Sequence, residues 1–209
     1  MASTLTLSRR ALVGAAVALG ALPSKLMATS ARRILAGTYR GEGGLGLAQL
    51  DVAPSGWTAT RSFRAIANAS FGIDNDRAGL RYFVNEQSAG ALGAYTRDLQ
   101  PVATFSTLGA DPCHLAISPD GRALAVANYS SGSVACWRLD RRTGLPLGEA
   151  QAVTHEGSGP NRERQAGPHA HWVGFASGGA LLHAVDLGAD AIFAHALDVR
   201  TGRLGETRI

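Results

Sequence analysis

Residues 155–171 hold the densest set of side chains able to do chemistry in this chain: His155, Glu156, Asn161, Arg162, Glu163, Arg164, Gln165, His169 and His171. Histidine, with a pKa near neutrality, suits a general base. Arginine suits a developing oxyanion or the anionic end of a ligand. His169 and His171 are two residues apart, so an extended backbone from Pro168 onward puts both imidazoles on one face. Arg162 and Arg164 have the same spacing and suit an anion clamp, with Asn161 and Gln165 beside them. Plainer readings stand alongside. Either histidine serves equally as a structural side chain tied to a backbone carbonyl, and Arg-Glu-Arg is equally a solvated or self-paired charge cluster.

Loops of this length without secondary structure are either functional or disordered. Gly159-Pro160 and Gly167-Pro168 fix its path, and the strand-like run 171–175 anchors it, so it reads as the wall of a site. Asn85, Asn128 and Asp186 occupy matching strand ends, and Glu86 follows the first of them. Glu86 and Asp186 are candidates for ligand contact; turn capping is the alternative for such Asn and Asp side chains, and the favoured one for Asn128. His114 and His155 are held in reserve, while His183 and His195 fall within strands and read as structural. No Gly-x-Ser-x-Gly elbow supports a serine esterase, and Gly157-Ser158-Gly159 is too short for a phosphate loop. With no CxxC, HExxH or EF-hand spacing, neither a metal nor another cofactor is expected. Cys113 and Cys136 read as buried free thiols, although an exported chain would permit a disulfide.

Stepping along the chain from its start, Ser8-Arg9-Arg10-Ala11-Leu12-Val13 opens an apolar run to Leu22, followed by Pro23 and small residues. This describes a twin-arginine leader over residues 1–31, with periplasmic or secreted destination; an apolar helix packed in the core is the alternative. The run is well short of the roughly 20 residues that span a bilayer, so no membrane partner is expected once the leader is removed. Of the 20 Lys plus Arg, three (Arg9, Arg10, Lys25) fall in the leader, leaving 17 against 16 Asp plus Glu. That near balance, with basic residues dispersed, indicates no nucleic-acid partner.

The mature part repeats. Residues 113–117 read as a strand, Pro119-Asp120-Gly121 as a turn, 123–128 as a strand, Ser131-Gly132 as a turn and 133–140 as a strand. Looser copies occupy 80–98 and 181–198, with a further hairpin at 34–39 and 45–51. Asn85 to Asn128 is 43 residues, a period that with about four short strands marks a β-propeller blade. Residues 32–209 supply about four such blades of an all-β fold, and no closing strand is evident after Gly202. An incomplete part of a larger ring is the favoured reading, a small four-bladed ring the alternative.

Several of these motifs together resemble the lactonase family of seven-bladed propellers, of the 6-phosphogluconolactonase type that includes carboxymuconate-lactonising enzymes. They are Gly37-Thr38-Tyr39, Val84-Asn85-Glu86, the run 114–122, the run 126–134, Gly157-Ser158-Gly159-Pro160-Asn161-Arg162, Arg164-Gln165, Gly167-Pro168-His169-Ala170-His171 and Asp186-Leu187-Gly188. The resemblance covers the chain from about Ile34 onward and implies the N-terminal four-sevenths of such a ring. It implies a hydrolase that opens a small anionic lactone, with the family's histidine carried onto His169 or His171 and water as nucleophile. Its remaining Glu and at least one Arg would lie on further blades. Export argues against the cytoplasmic pentose-phosphate substrate itself. A propeller that binds a ligand or protein without catalysis is the rival reading, and an inactive fragment the second. Ala176-Ser177-Gly178-Gly179 departs from the usual Ser-Pro-Asp-Gly turn, which predicts altered turn geometry there. Ser70 to Gly79 is likewise an irregular copy.

Overall fold

A computed structural model describes residues 32–209; the leader expected at residues 1–31 lies outside the described residues. The described chain is all-β, with every strand antiparallel to the next and four sheets following one another in sequence. Blade A holds β1 (Arg32–Gly37), β2 (Leu47–Ala53) and β3 (Gly56–Phe63). Blade B holds β4 (Gly72–Asn75), β5 (Leu80–Asn85), β6 (Ala91–Thr96) and β7 (Pro101–Ser106). Blade C holds β8 (Pro112–Ile117), β9 (Ala123–Asn128), β10 (Ser133–Arg138) and β11 (Gln151–Thr154). Blade D holds β12 (Ala170–Phe175), β13 (Leu181–Asp186), β14 (Ala191–Asp198) and β15 (Arg203–Arg208). The first strands β4, β8 and β12 lie beside one another, as the inner strands of a propeller do.

Burial explains the packing. Every residue of β9 is buried. Because successive side chains point to opposite faces, Ala123, Ala125 and Ala127 pack with Val173, Leu182 and Phe193 of blade D. Leu124 and Val126 pack with Leu80, Tyr82 and Leu92 of blade B. Tyr82 also fastens blade B to blade C: its hydroxyl donates to the Gly144 carbonyl and accepts from Asn75 Nδ2 at 3.3 Å.

The turns follow their residue types. Gly121 takes φ 71° and donates its amide to Ser118 at 2.8 Å, while Ser118 Oγ bonds Asp120 and the Ala123 amide. The altered geometry expected at 176–179 is not found. Gly179 also has φ 71°, and its amide donates to Ala176 at 2.8 Å, so one glycine in the left-handed region suffices without Pro-Asp.

Another expectation is corrected at Arg203–Arg208, which forms β15 on β14. An outermost strand packs little; Leu204 is its one buried side chain, so no alternation marks it.

Candidate functional site

In each of blades B, C and D, the turn after the second strand is bonded to the loop that leads into that blade. The amides of Glu86, Tyr129 and Leu187 donate to the carbonyls of Asn68 (3.1 Å), Asp111 (2.9 Å) and His169 (2.9 Å). Matching positions therefore gather on one face. Tyr39, the counterpart in blade A, donates its hydroxyl to Glu86 Oε2 at 2.8 Å. Burial, then the Glu86 carboxylate, raises the Tyr39 pKa.

Tyr129 is the centre of the other half of the site. The His169 ring stacks on it at 4.6 Å and 14°, His171 meets it edge-on at 5.5 Å and 85°, and Arg164 Nη2 donates to its hydroxyl at 3.3 Å. Nδ1 of His169 lies 3.2 Å from the Tyr129 carbonyl. A carbonyl only accepts, so Nδ1 carries the proton and neutral His169 keeps its lone pair on Nε2. His169 is half-buried and His171 exposed. Both histidines meet the Tyr129 ring, and of the two His169 has its tautomer set by a partner.

The halves meet over Cys113, whose Sγ lies 3.7 Å from the carbonyls of Ala170 and His171. Burial, with the Glu86 charge adding, pushes its thiol to about 12, which leaves it protonated and unreactive at neutral pH. Cys136, pushed to about 12 by burial, is likewise a free thiol. The His114 ring lies tilted against Phe71 at 4.2 Å and 32°, and burial, then His171, lowers its pKa.

The remaining candidates shape the loop. Gln165 is buried; its Oε1 accepts from the Asn161 amide at 2.9 Å and its Nε2 donates to Leu187 at 2.8 Å. Asn161 Oδ1 accepts from the amides of Glu163 and Arg164 at 3.2 and 3.3 Å. Arg162 and Gln165, with Ser158, Gly159, Pro160 and Ala166, line an open hollow of about 470 Å³. Among the described residues neither Arg162 nor Arg164 is ion-paired with a carboxylate, so the self-paired cluster is not what forms. Asp186 is fully buried, with Oδ2 2.7 Å from His155 Nδ1 and Oδ1 accepting from the His169 amide at 2.6 Å.

Tyr39 and Tyr129 were not among the site residues expected from sequence, and His155, held in reserve there, is buried. A signal existed for the tyrosines: each holds, in its own blade, the position that Glu86 holds in blade B.

Comparison with known proteins follows the same lines. A family model described as "Lactonase, 7-bladed beta-propeller" matches residues 33–208. The 6-phosphogluconolactonase of Bacillus subtilis is 29% identical, over 77% of this chain and 48% of its own. The structure of a periplasmic gluconolactonase from Pseudomonas aeruginosa superposes with a TM-score of 0.68 and 26% identity, covering 78% of this chain and 49% of that one. A provisionally assigned 6-phosphogluconolactonase of Bacteroides fragilis gives a TM-score of 0.71 and 29% identity, over 84% of this chain and 51% of that one. This chain spans about half the length of the relatives it matches.

Proposed function

The chain belongs to the lactonase family of seven-bladed β-propellers, and we propose that it carries the base-bearing part of a hydrolase that opens a sugar lactone or a similar small anionic lactone. The observation that carries this reading is the His169 tautomer: with Nδ1–H turned to the Tyr129 carbonyl, Nε2 is the atom left to take a proton from water. Water deprotonated there attacks the lactone carbonyl carbon. The charge moves to the carbonyl oxygen, where Arg164 beside the Tyr129 hydroxyl supplies donors. Collapse breaks the ring C–O bond, and the proton held by His169 passes to the departing ring oxygen.

Arg162, at the hollow in the loop, suits the anionic end of the substrate, and Glu86 with Tyr39 suits its hydroxyl groups. Asn161, Gln165 and Asp186 act by holding the loop in shape. His171, exposed at the Tyr129 edge, contacts substrate and does not take the proton. The leader motif at Arg9-Arg10 and the periplasmic location of the Pseudomonas relative support export, and with it a periplasmic substrate from carbohydrate metabolism.

The test is pH-stat turnover of 6-phosphogluconolactone and unphosphorylated gluconolactone by this chain and by a form extended to the relatives' length. His169→Gln is expected to lower kcat by about 100-fold or more, and His171→Ala to raise KM with a smaller change in kcat. No turnover by soluble, folded protein in either form overturns the lactonase reading.

A further inference from the structure

Blade D departs from its neighbours at one repeated position. The end of the second strand is Asn85 in blade B, Asn128 in blade C and Asp186 in blade D. In blade C the Asn128 Nδ2 donates to the Thr107 carbonyl at 3.1 Å and to Ser133 Oγ at 3.2 Å, closing the entering loop with neutral bonds. Thr107 and His155 are counterparts: the amide of each opens its loop by donating to the glycine before the third strand of the preceding blade, Gly90 and Gly132. In blade D the amide has become a carboxylate and the loop's first residue a histidine.

That histidine is buried completely. Its ring stacks on Phe193 at 3.9 Å and 14°, and its Nε2 lies 3.1 Å from His195 Nε2. His195 Nδ1 is in turn 2.9 Å from Thr207 Oγ1. At the other end Asp186 accepts from His155 Nδ1 (2.7 Å), from the His169 amide (2.6 Å) and from the Ala189 amide (2.9 Å).

A carboxylate only accepts, so His155 Nδ1 is protonated. Two arrangements satisfy the rest of the chain. With His155 neutral, His195 Nε2–H donates to it and the Thr207 hydroxyl donates to His195 Nδ1. With His155 cationic, it donates to His195 Nε2, and His195 Nδ1–H donates to Thr207. A further proton would set N–H against N–H across 3.1 Å. The bond to Asp186 is the same in both arrangements.

We propose that His155 is a positioning residue for His169: through Asp186 it fixes the His169 backbone, so that the ring lies on Tyr129 with Nδ1–H to the carbonyl and Nε2 free. His195 and Thr207 hold His155 in the one tautomer that can do this. The role assigned to His169 rests on the proposed function, while the anchoring itself has a readout that needs no turnover.

That readout is the long-range 1H–15N spectrum of the histidine rings in the 209-residue chain. His169 is expected as the Nδ1–H tautomer. His155→Leu removes the donor to Asp186 and is expected to replace that tautomer by a mixture. His155→Asn, whose amide N–H takes the place of Nδ1–H, is expected to restore the wild-type signals. Unchanged His169 signals in folded His155→Leu, or identical spectra for the Leu and Asn variants, overturn the proposal.

Asp186→Asn, isosteric and already the residue used in blades B and C, covers the case in which His155→Leu does not fold. Its amide has one oxygen for the three donors that Asp186 accepts from, so the His155 and His169 signals should both shift; a spectrum like wild type overturns the proposal. A protein without lactone turnover in which His169 responds sinks the lactonase reading alone. An active one in which it does not respond sinks the positioning role alone.

Discussion

A methyl group on Gly188 would lie 1.9 Å from the carbonyl oxygen of Gly167 and 2.8 Å from both the amide nitrogen and Cδ2 of His169. The obstruction is backbone, so no rotamer change relieves it. Gly188 is one of the points at which the β13–β14 turn and the 155–171 loop touch.

Gly188→Ala is accordingly expected to destabilise the protein by about 1–3 kcal/mol, the usual range for overpacking, and to lift His169 away from Tyr129. Urea denaturation gives the first quantity and the His169 ring signals the second. Gly167→Ala is the control: a Cβ there meets nothing within 4 Å, and its denaturation midpoint should stay at the wild-type value.

Acid should weaken the fold in two steps. Burial, with the His155 charge adding, lowers the His195 pKa to about 4 from 6.5. As pH falls, the unfolded chain takes up this proton first, so stability is complete above pH 6.5 and is lost as pH drops toward 4. A shift of that size corresponds to roughly 3 kcal/mol. For Asp186, burial by itself raises the pKa, but the His155 bond and the amides of Ala189 and His169 outweigh it and hold the carboxyl below its ordinary value. Its contribution is present above the ordinary carboxylate range and disappears as pH falls through the lowered value, which is the second step. Urea midpoints measured from pH 7.5 to 3 should fall in both windows, and His195→Leu should flatten the first. A midpoint constant between pH 7 and 5 would contradict the account.

Tyr82→Phe keeps the buried ring but leaves the Gly144 carbonyl and the Asn75 amide without the hydroxyl that joins them. The expected loss is about 1–3 kcal/mol, that of an unsatisfied buried polar group. A change within about 0.5 kcal/mol, typical of a surface substitution, would mean that this hydroxyl does not fasten the two blades.

The sequence exposes what is buried on both faces. β9 and β10 carry uninterrupted apolar runs and are bounded by Pro119-Asp120-Gly121 and Ser131-Gly132, so they could be read directly. The outer strands could not: β3 is exposed along nearly all its length, and β11 has no fully buried residue. His169, His171 and Arg164 were legible because a polar loop concentrates them. Tyr129 was not, since an aromatic residue after a strand reads as packing until its counterpart Glu86 is noticed. The meeting of His155 with His195 spans 40 residues, from the loop entering blade D to its third strand. Alternation along β14 puts His195 on the same face as Phe193 and Leu197, both buried, which marks it as inward-facing but not whom it meets.

Among the described residues, Asn85 and Asn128 each keep a buried side-chain oxygen that accepts no hydrogen bond, at the position where blade D carries Asp186. The strand ends are therefore one repeated socket, filled by an amide in blades B and C and by a carboxylate in blade D. A double substitution, Thr107→His with Asn128→Asp, would transplant the ionic anchor to a second blade without altering the backbone plan.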